Sequence, residues 1–520
     1  MLACALLALA AGMTAPVSAQ RLAAAAGPGA LTAPDGTTAL HRAVLAEDAD
    51  GVRRLLAAGA DARAANRLGV TPLQLAAVNG NARIARLLLD AGAPVNAVLP
   101  EGETVLMTAA RTGRVELLTL LLDHGADVNA REKWYGETAL IWAAAEDHAD
   151  AVRLLVARGA DPNGRSALLD VPRRRSGQSV LPLGSWTPLM YAARQNAMAA
   201  ARTLVERGAD LNLTDPDGAT ALVIAIINAN YDAAALLLEQ GADPNIADTE
   251  AGMAALYAAV DMHRLAIGHG RPNPHPTGEL DAVDIVRSLL AHGADPNARL
   301  SGPTMQRHHT AGDRVLGEGS TPFMRAAKSG DVEIMRLLLA AGADPKLTQP
   351  NGANALMLAA GLGWRDGSPA APAYEQGSEA DAIEAIELCL ELGLSINSTT
   401  TAGESALHAA VSGRGSETIV RFLATHGADL QAKNKQGRTP LEAAVASRRE
   451  MPAIVATEAT SIGAPSAGSP IIVTTSPVSA GTSVTSSIVM SIVTRPAIRA
   501  TDPRTRADPA LLAPLGYPSA

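Results

Sequence analysis

The chain has 520 residues and a formal net charge of −9, and 48% of its residues are apolar while only 2% are aromatic. That length normally means several domains, and an apolar content carried by Ala and Leu suits small, closely packed helices better than the core of one large enzyme. Acidic and basic residues are interspersed, which excludes the one-sided basic surface that nucleic-acid binding requires.

The first nineteen residues, MLACALLALAAGMTAPVSA, form an apolar run that turns into small residues ending at Val17-Ser18-Ala19. They predict a secretory signal (1–19) cut before Gln20, and hence an exported protein, periplasmic or secreted. No Lys or Arg precedes the apolar run, which departs from the usual pattern of such signals. The run is too short to span a membrane as a helix, so no span is expected in the mature chain. Residues 20–33 read as a linker. Cys4 falls inside the signal and leaves Cys389 as the single thiol of the mature chain, so the fold must hold without an internal disulfide.

From Pro34 onward the sequence repeats itself, mostly at intervals of 33 or 34 residues. The phrase Gly-Ala-Asp recurs at Gly59, Gly125, Gly159, Gly208, Gly241, Gly293, Gly342 and Gly427, with worn copies at Gly92 and Gly393. A Leu-rich stretch precedes each, and a turn with Thr comes earlier still, as in GVTPLQLAA from Gly69. The turn recurs at positions 36, 69, 102, 136, 185, 218, 252, 319, 352, 403 and 437.

The second copy shows what each phrase does. Thr71 before Pro72 is an N-cap followed by proline at the first helical position, where its missing N–H costs nothing. A short Ala-faced helix follows, and Gly80 ends it in the left-handed conformation. A second helix over about Ala82–Ala91 carries Ile84, Leu87 and Leu88 as one apolar stripe. Gly92 closes it, and an extended polar segment then projects as a hairpin finger.

These phrases resemble the ankyrin repeat, in its exported, bacterial type. Thr38–Ala43 (TALHRA) and Ser405–Ala410 (SALHAA) keep the histidine of the family's T-P-L-H-x-A motif, and Thr71–Ala76 (TPLQLA) does not. The resemblance runs from Pro34 to about residue 447, ten complete copies and one incomplete one, within a repeat domain of 34–455. It implies an all-α solenoid of helix pairs with projecting fingers, in which stacked copies share one long core. After residue 455 the chain is rich in Ser, Thr, Pro and Ala, and 456–520 reads as a disordered tail.

Four insertions interrupt the period, near 164–183, 263–280, 300–318 and 364–380. The first and third enlarge fingers, whereas the second and fourth fall between the two helices of repeats seven and nine. Insertions in a solenoid map to loops, often on the binding side. Six histidines belong to the repeat itself: His41 and His408 in the motif slot, His124, His292 and His426 before a closing Gly, and His148 at an inter-helix turn. The other five, His263, His269, His275, His308 and His309, fall in the two insertions of repeat seven. They read first as loop residues and alternatively as a metal or anion site. No ligand spacing of the zinc kind supports the latter.

Cys389 aligns with Leu289, a stripe position, which predicts a buried structural thiol. Trp142, inside a first helix, is assigned to the core. Trp134 and Tyr135 fall at a finger tip and Trp186 on the next finger, so they read either as a contact hot spot or as fingers packed on each other. Arg173, Arg174 and Arg175 suit an acidic partner or a solvated loop.

No nucleophile–base set, phosphate-binding loop or cofactor motif is visible. The resemblance implies a non-enzymatic, monomeric scaffold that holds a protein partner on its concave finger and first-helix surface and needs no cofactor. The alternative is a metal-binding protein centred on the repeat-seven histidines.

Overall fold

The structure, a computed structural model, describes residues 32–169, 183–249, 251–264, 276–302, 315–363, 377–413 and 416–446. Internal contacts divide the chain into residues 1–464 and 465–520, and every described residue belongs to the first unit. The predicted signal, nearly all of the linker, the tail after residue 455 and Arg173–Arg175 lie outside the described residues.

Among the described residues the chain forms 21 α-helices, ten successive pairs and one unpaired helix. Repeats one to three contribute α1 (Ala39–Leu45) and α2 (Ala49–Ala57), α3 (Pro72–Val78) and α4 (Ala82–Asp90), then α5 (Val105–Arg111) and α6 (Val115–Asp123). Repeats four to six contribute α7 (Ala139–Ala145) and α8 (Ala149–Ala157), α9 (Pro188–Gln195) and α10 (Met198–Glu206), then α11 (Ala221–Ile227) and α12 (Tyr231–Glu239). In repeats seven and eight these are α13 (Ala255–His263) and α14 (Ala282–Ala291), α15 (Pro322–Ser329) and α16 (Val332–Ala340). Then come α17 (Ala355–Ala360) and α18 (Glu379–Glu391), α19 (Ala406–Ser412) and α20 (Glu417–Thr425), and the lone α21 (Pro440–Ala446). First helices pack on first helices of the neighbouring repeats, and second helices on second helices.

Repeat two shows how the sequence makes this unit. Thr71 is extended, and its hydroxyl accepts from the Gln74 N–H at 3.2 Å, satisfying a donor that the helix start leaves open. Pro72 opens α3 and Gly80 leaves it at φ 66°. Asn81 caps α4 through the Ile84 N–H at 3.0 Å. Ile84, Ala85, Leu88 and Leu89 are buried, whereas Leu87 is half-buried, so the stripe is turned slightly from the expected one.

Small residues bring the first helices together: Ala76, Ala77, Ala109, Ala110, Ala143 and Ala144 are fully buried. The second helices present a leucine four residues before each closing glycine, as Leu88, Leu121, Leu289 and Leu338 do, all fully buried. Cys389 fills that leucine place in repeat nine, and burial pushes its thiol up to about 12. Fully burying such a side chain contributes about 1.5–3 kcal/mol, which no single copy can obtain alone.

The histidines of the motif slot join neighbouring repeats. His41 Nδ1 lies 2.7 Å from the Thr38 hydroxyl and its Nε2 lies 3.0 Å from the Val70 carbonyl of the next repeat. A carbonyl needs a donor, so Nε2 carries the proton and Nδ1 accepts. Burial holds the His41 pKa below the ordinary value, in keeping with that neutral form. His408 repeats the arrangement with Ser405 and the Arg438 carbonyl.

The fingers are tied by a ladder that the sequence reading missed. Two residues after the Asp of Gly-Ala-Asp stands an Asn in most copies, and it bridges to the next copy. Asn245 donates to the Gly293 carbonyl at 2.9 Å and accepts from the Asp295 N–H at 2.8 Å. Asn96, Asn163, Asn297 and Asn397 do the same. Among the described residues extended pairing is confined to the fingers, as in β1 (Leu168–Leu169), antiparallel to β2 (Leu183–Gly184).

Candidate interaction surface

The finger tip of repeat four is built around one carboxylate. Glu132 is buried and accepts from the backbone N–H groups of Trp134 (2.6 Å), Tyr135 (2.7 Å) and Glu137 (2.9 Å). Gly136 completes the turn at φ 61°. Lys133 N–H donates to the Glu101 carbonyl of the previous finger, and Tyr135 C=O accepts from Ala167 N–H of the next. With its backbone held on both sides, the tip presents Trp134 at 65% and Tyr135 at 44% exposure. Leu168, on the following finger, is 59% exposed.

Behind the tip lies a second group of rings on the first helices. Trp142 of α7 and Tyr191 of α9 each stand four residues after their Thr caps, Thr138 and Thr187. Glu137 accepts from Trp142 Nε1 at 2.8 Å and from the Tyr191 hydroxyl, and burial raises its carboxyl pKa. Burial and the neighbouring Glu137 raise the Tyr191 hydroxyl pKa. Both donors hold Glu137 in place, so its perturbed carboxyl organises the rings.

Two expectations change here. Trp142 is half-buried rather than a core residue. It packs against the edge of the core, and the Arg111 guanidinium covers the ring at 5.3 Å from its centroid. Trp186 is no free finger residue and does not pack on Trp134 or Tyr135 in the ring contacts seen. It meets Tyr191 edge to face at 5.6 Å, donates from Nε1 to Asp215 at 3.2 Å, and has the Arg194 guanidinium 5.7 Å from its centroid. Burial also raises the Asp215 carboxyl pKa. Trp134 and Tyr135 therefore form the exposed outer part of the surface, with Trp186, Tyr191 and Trp142 as its half-buried inner part. Such rings combine a large apolar area with few freedoms to lose, and offer offset or edge-on contact to an incoming chain.

The other end of the helix pairs departs further from expectation. His263 is the last residue of α13 rather than a loop residue, and its Nδ1 lies 2.6 Å from Oδ2 of Asp331, a side chain only 1% exposed. Asp331 also caps α16, so an element of the next repeat fixes the histidine. Donating this hydrogen bond to Asp331 raises the His263 pKa against the opposing effect of burial. Arg264 pairs with Asp381 at 3.1 Å, which ties the start of the second insertion to the end of the fourth. Together with Glu333, Arg336 and Glu384 these groups line a cleft of about 410 Å³.

The insertion near 300–318 leaves from the finger end instead, where Ser301 N–H donates to the Ala251 carbonyl. His269, His275, His308 and His309 lie outside the described residues. Among the described residues no group of three or more His, Cys, Asp or Glu side chains is placed to hold a metal ion. No helix among them is long and apolar enough to cross a membrane.

A family model described as Ankyrin repeats (3 copies) matches residues 7–99, 94–166, 172–248, 279–366 and 376–458.

Proposed function

The chain belongs to the ankyrin repeat family, and from that premise we propose that it is a non-enzymatic scaffold holding a protein partner on its finger and first-helix surface, centred on repeats four and five. Ankyrin repeats are in general protein–protein interaction modules, and their members typically carry no catalytic activity. The observation that supports this particular surface is where the aromatics fall. The whole chain has four Trp, six Tyr and two Phe. Trp134, Tyr135, Trp142, Trp186 and Tyr191 lie within two neighbouring repeats, and Glu137 and ring contact link Trp142, Tyr191 and Trp186. Scattered exposed rings need no explanation, but a gathered and rigidly mounted group marks a contact site.

Mounting matters as much as exposure. The Glu132 clasp and the Glu137 bridge hold the backbone and the inner rings before any partner arrives, so little ordering entropy is lost on binding. Arg111 and Arg194, laid over Trp142 and Trp186, add guanidinium N–H groups at the rim. Arg173, Arg174 and Arg175 are assigned to the same partner on sequence grounds, as a basic contribution from the adjoining insertion. The first nineteen residues read as a secretory signal, which supports a partner outside the cytoplasm, in the periplasm or beyond.

The test is capture. Full-length mature protein, immobilised and exposed to an envelope extract of the producing cell, is expected to retain a partner that the Trp134→Ala, Tyr135→Ala double variant releases. Equal retention by the parent and the double variant moves the binding surface elsewhere.

A further inference from the structure

One place on the first helices carries a pattern that the rings alone do not explain. Seven residues after their Thr caps, five successive first helices present Val78, Arg111, Ala145, Arg194 and Ile227. All five are half-buried. Two guanidinium groups therefore flank one small residue, with an aliphatic side chain beyond each. In repeat seven the same place holds Asp261, which pairs within the chain with Arg325, so the row ends there.

The acids behind the row are engaged by internal donors. Glu103 accepts from the Thr108 hydroxyl at 2.7 Å, and Glu137 accepts from Trp142 and Tyr191. Asp215 accepts from Trp186 and from the Asp217 and Ala219 N–H groups. The two cations lie instead on ring faces, Arg111 on Trp142 and Arg194 on Trp186. The Arg111 side chain is 37% exposed, and its 3.9 Å approach to Glu103 is too long for a hydrogen bond. A guanidinium carries its N–H donors in one plane, and stacking on a ring turns them sideways, where a carboxylate takes two at once.

Resting on the partner-binding reading above, we propose that the partner docks through an extended acidic segment. Two of its carboxylates, about five or six residues apart, meet Arg111 and Arg194, and an apolar side chain between them sits over Ala145. The spacing follows from the stack. α5 packs on α7 and α7 on α9, and packed helix axes lie about 8–10 Å apart, which separates the two arginines by about 16–20 Å. An extended chain covers that distance at about 3.3 Å per residue. Ala145, the smallest side chain of the five, leaves the gap between them. Two forked contacts at a fixed separation set the register of a chain, which a scattered surface charge does not. A nucleic acid fits the row less well, because the places beyond the arginines are aliphatic and the next one is acidic.

Fluorescence anisotropy of the full-length chain with the labelled peptide Glu-Ser-Pro-Leu-Pro-Ser-Glu, which its prolines hold extended, tests the assignment. The peptide is expected to bind, and more weakly as salt rises. Arg111→Gln and Arg194→Gln are each expected to weaken it about tenfold or more. Arg111→Lys and Arg194→Lys, which keep the charge and lose the fork, are expected to fall between parent and Gln variants. A peptide with Gln for both Glu, and Ser-Pro-Leu-Pro-Ser-Glu-Glu with its acids adjacent, are expected to bind about tenfold more weakly or worse. Unchanged amide exchange across α5 to α9 is the control that the variants fold. No binding at millimolar peptide, equal affinity of the Glu and Gln peptides, or full affinity in both Gln variants would each overturn the proposal. Tighter binding of oligothymidylate than of the Glu peptide would assign the row to a nucleic acid instead. The captured partner separates this proposal from the reading it rests on. A partner released by the Trp134→Ala, Tyr135→Ala variant but held with full affinity by the Arg111→Gln, Arg194→Gln variant keeps the surface and rules out the acidic segment.

Discussion

Gly136 and Ser185 occupy one place in neighbouring fingers, and both hold left-handed backbone, at φ 61° and 55°. For a residue with a Cβ that conformation costs about 1–2 kcal/mol. Replacing Ser185 by Gly removes the cost while loosening the unfolded chain by about 0.4–1 kcal/mol. The main-chain bonds survive the change, since Ser185 N–H donates to the Ala167 carbonyl at 3.0 Å and its own carbonyl accepts from Arg165 at 2.8 Å. Ser185→Gly is therefore expected to stabilise the middle of the stack by about 0.5–1 kcal/mol. The opposite change at Gly136 adds the same backbone cost and a clash, because a Cβ there would stand 2.9 Å from the Ala167 nitrogen and its Cβ. That nitrogen is fixed by its bond to the Tyr135 carbonyl, so Gly136→Ala is expected to destabilise by about 2–3 kcal/mol. A long solenoid need not unfold in one step, so amide exchange across α7 to α9 is the assay. Slower exchange in Ser185→Gly and faster exchange in Gly136→Ala are the predicted results. A destabilising Ser185→Gly or a neutral Gly136→Ala would refute the reasoning.

The bond between His263 and Asp331 makes repeats seven and eight pH-dependent. A histidine whose folded pKa is raised contributes stability fully below its ordinary value of 6.5 and loses it as pH rises through the raised value. Exchange protection of α13 and α16 is thus expected to fall as the pH is raised above 6.5, and His263→Gln to flatten that dependence; the same slope in the variant would assign it to other groups. Asn245→Ala removes two hydrogen bonds between fingers and is expected to cost about 1–3 kcal/mol at that junction, read as faster exchange of the Asp295 amide. Cys389, with its thiol buried and pushed up to about 12, is expected to react with a neutral maleimide only as fast as repeat nine opens. Rapid labelling of the native chain would contradict its placement.

The period of the sequence carried the fold, because each repeat is local: Thr71, Pro72, Gly80 and Gly92 act within a few residues of themselves. Cys389 was legible for the same reason, since the leucine place it fills is defined by the spacing to Gly393. What escaped the sequence lay between repeats. Trp142 looked like a core residue because a first helix is mostly buried, and it does pack on the core. Its half-buried place is shared with Arg111 of the previous repeat and with Glu137, which Tyr191 of the next repeat also binds. His263 looked like a loop residue because the period stops nearby, yet Asp331 of the following repeat holds it in helix. The pairing of Arg264 with Asp381 joins two insertions more than a hundred residues apart, and no spacing rule reaches that far. The Asn ladder had a visible signal in the Asn that follows Gly-Ala-Asp, but its role depends on the neighbouring copy. Left-handed backbone at Glu47, Asp147, Ser185, Asn196 and Ala229 shows that the stack imposes a turn even where the glycine has been lost.

The central claim is that the rings of repeats four and five hold a partner rather than the fold, and Trp134→Ala tests it most directly. Its ring is 65% exposed, so its removal is expected to change stability by no more than about 0.5 kcal/mol. As an anchor it is expected to cost at least about 2 kcal/mol in affinity for the captured partner, about thirtyfold in Kd. Both quantities are measured on one variant, by titration calorimetry and by exchange across α7 to α9. Thirtyfold weaker binding with unchanged exchange is the predicted result, and unchanged Kd with faster exchange would contradict the account.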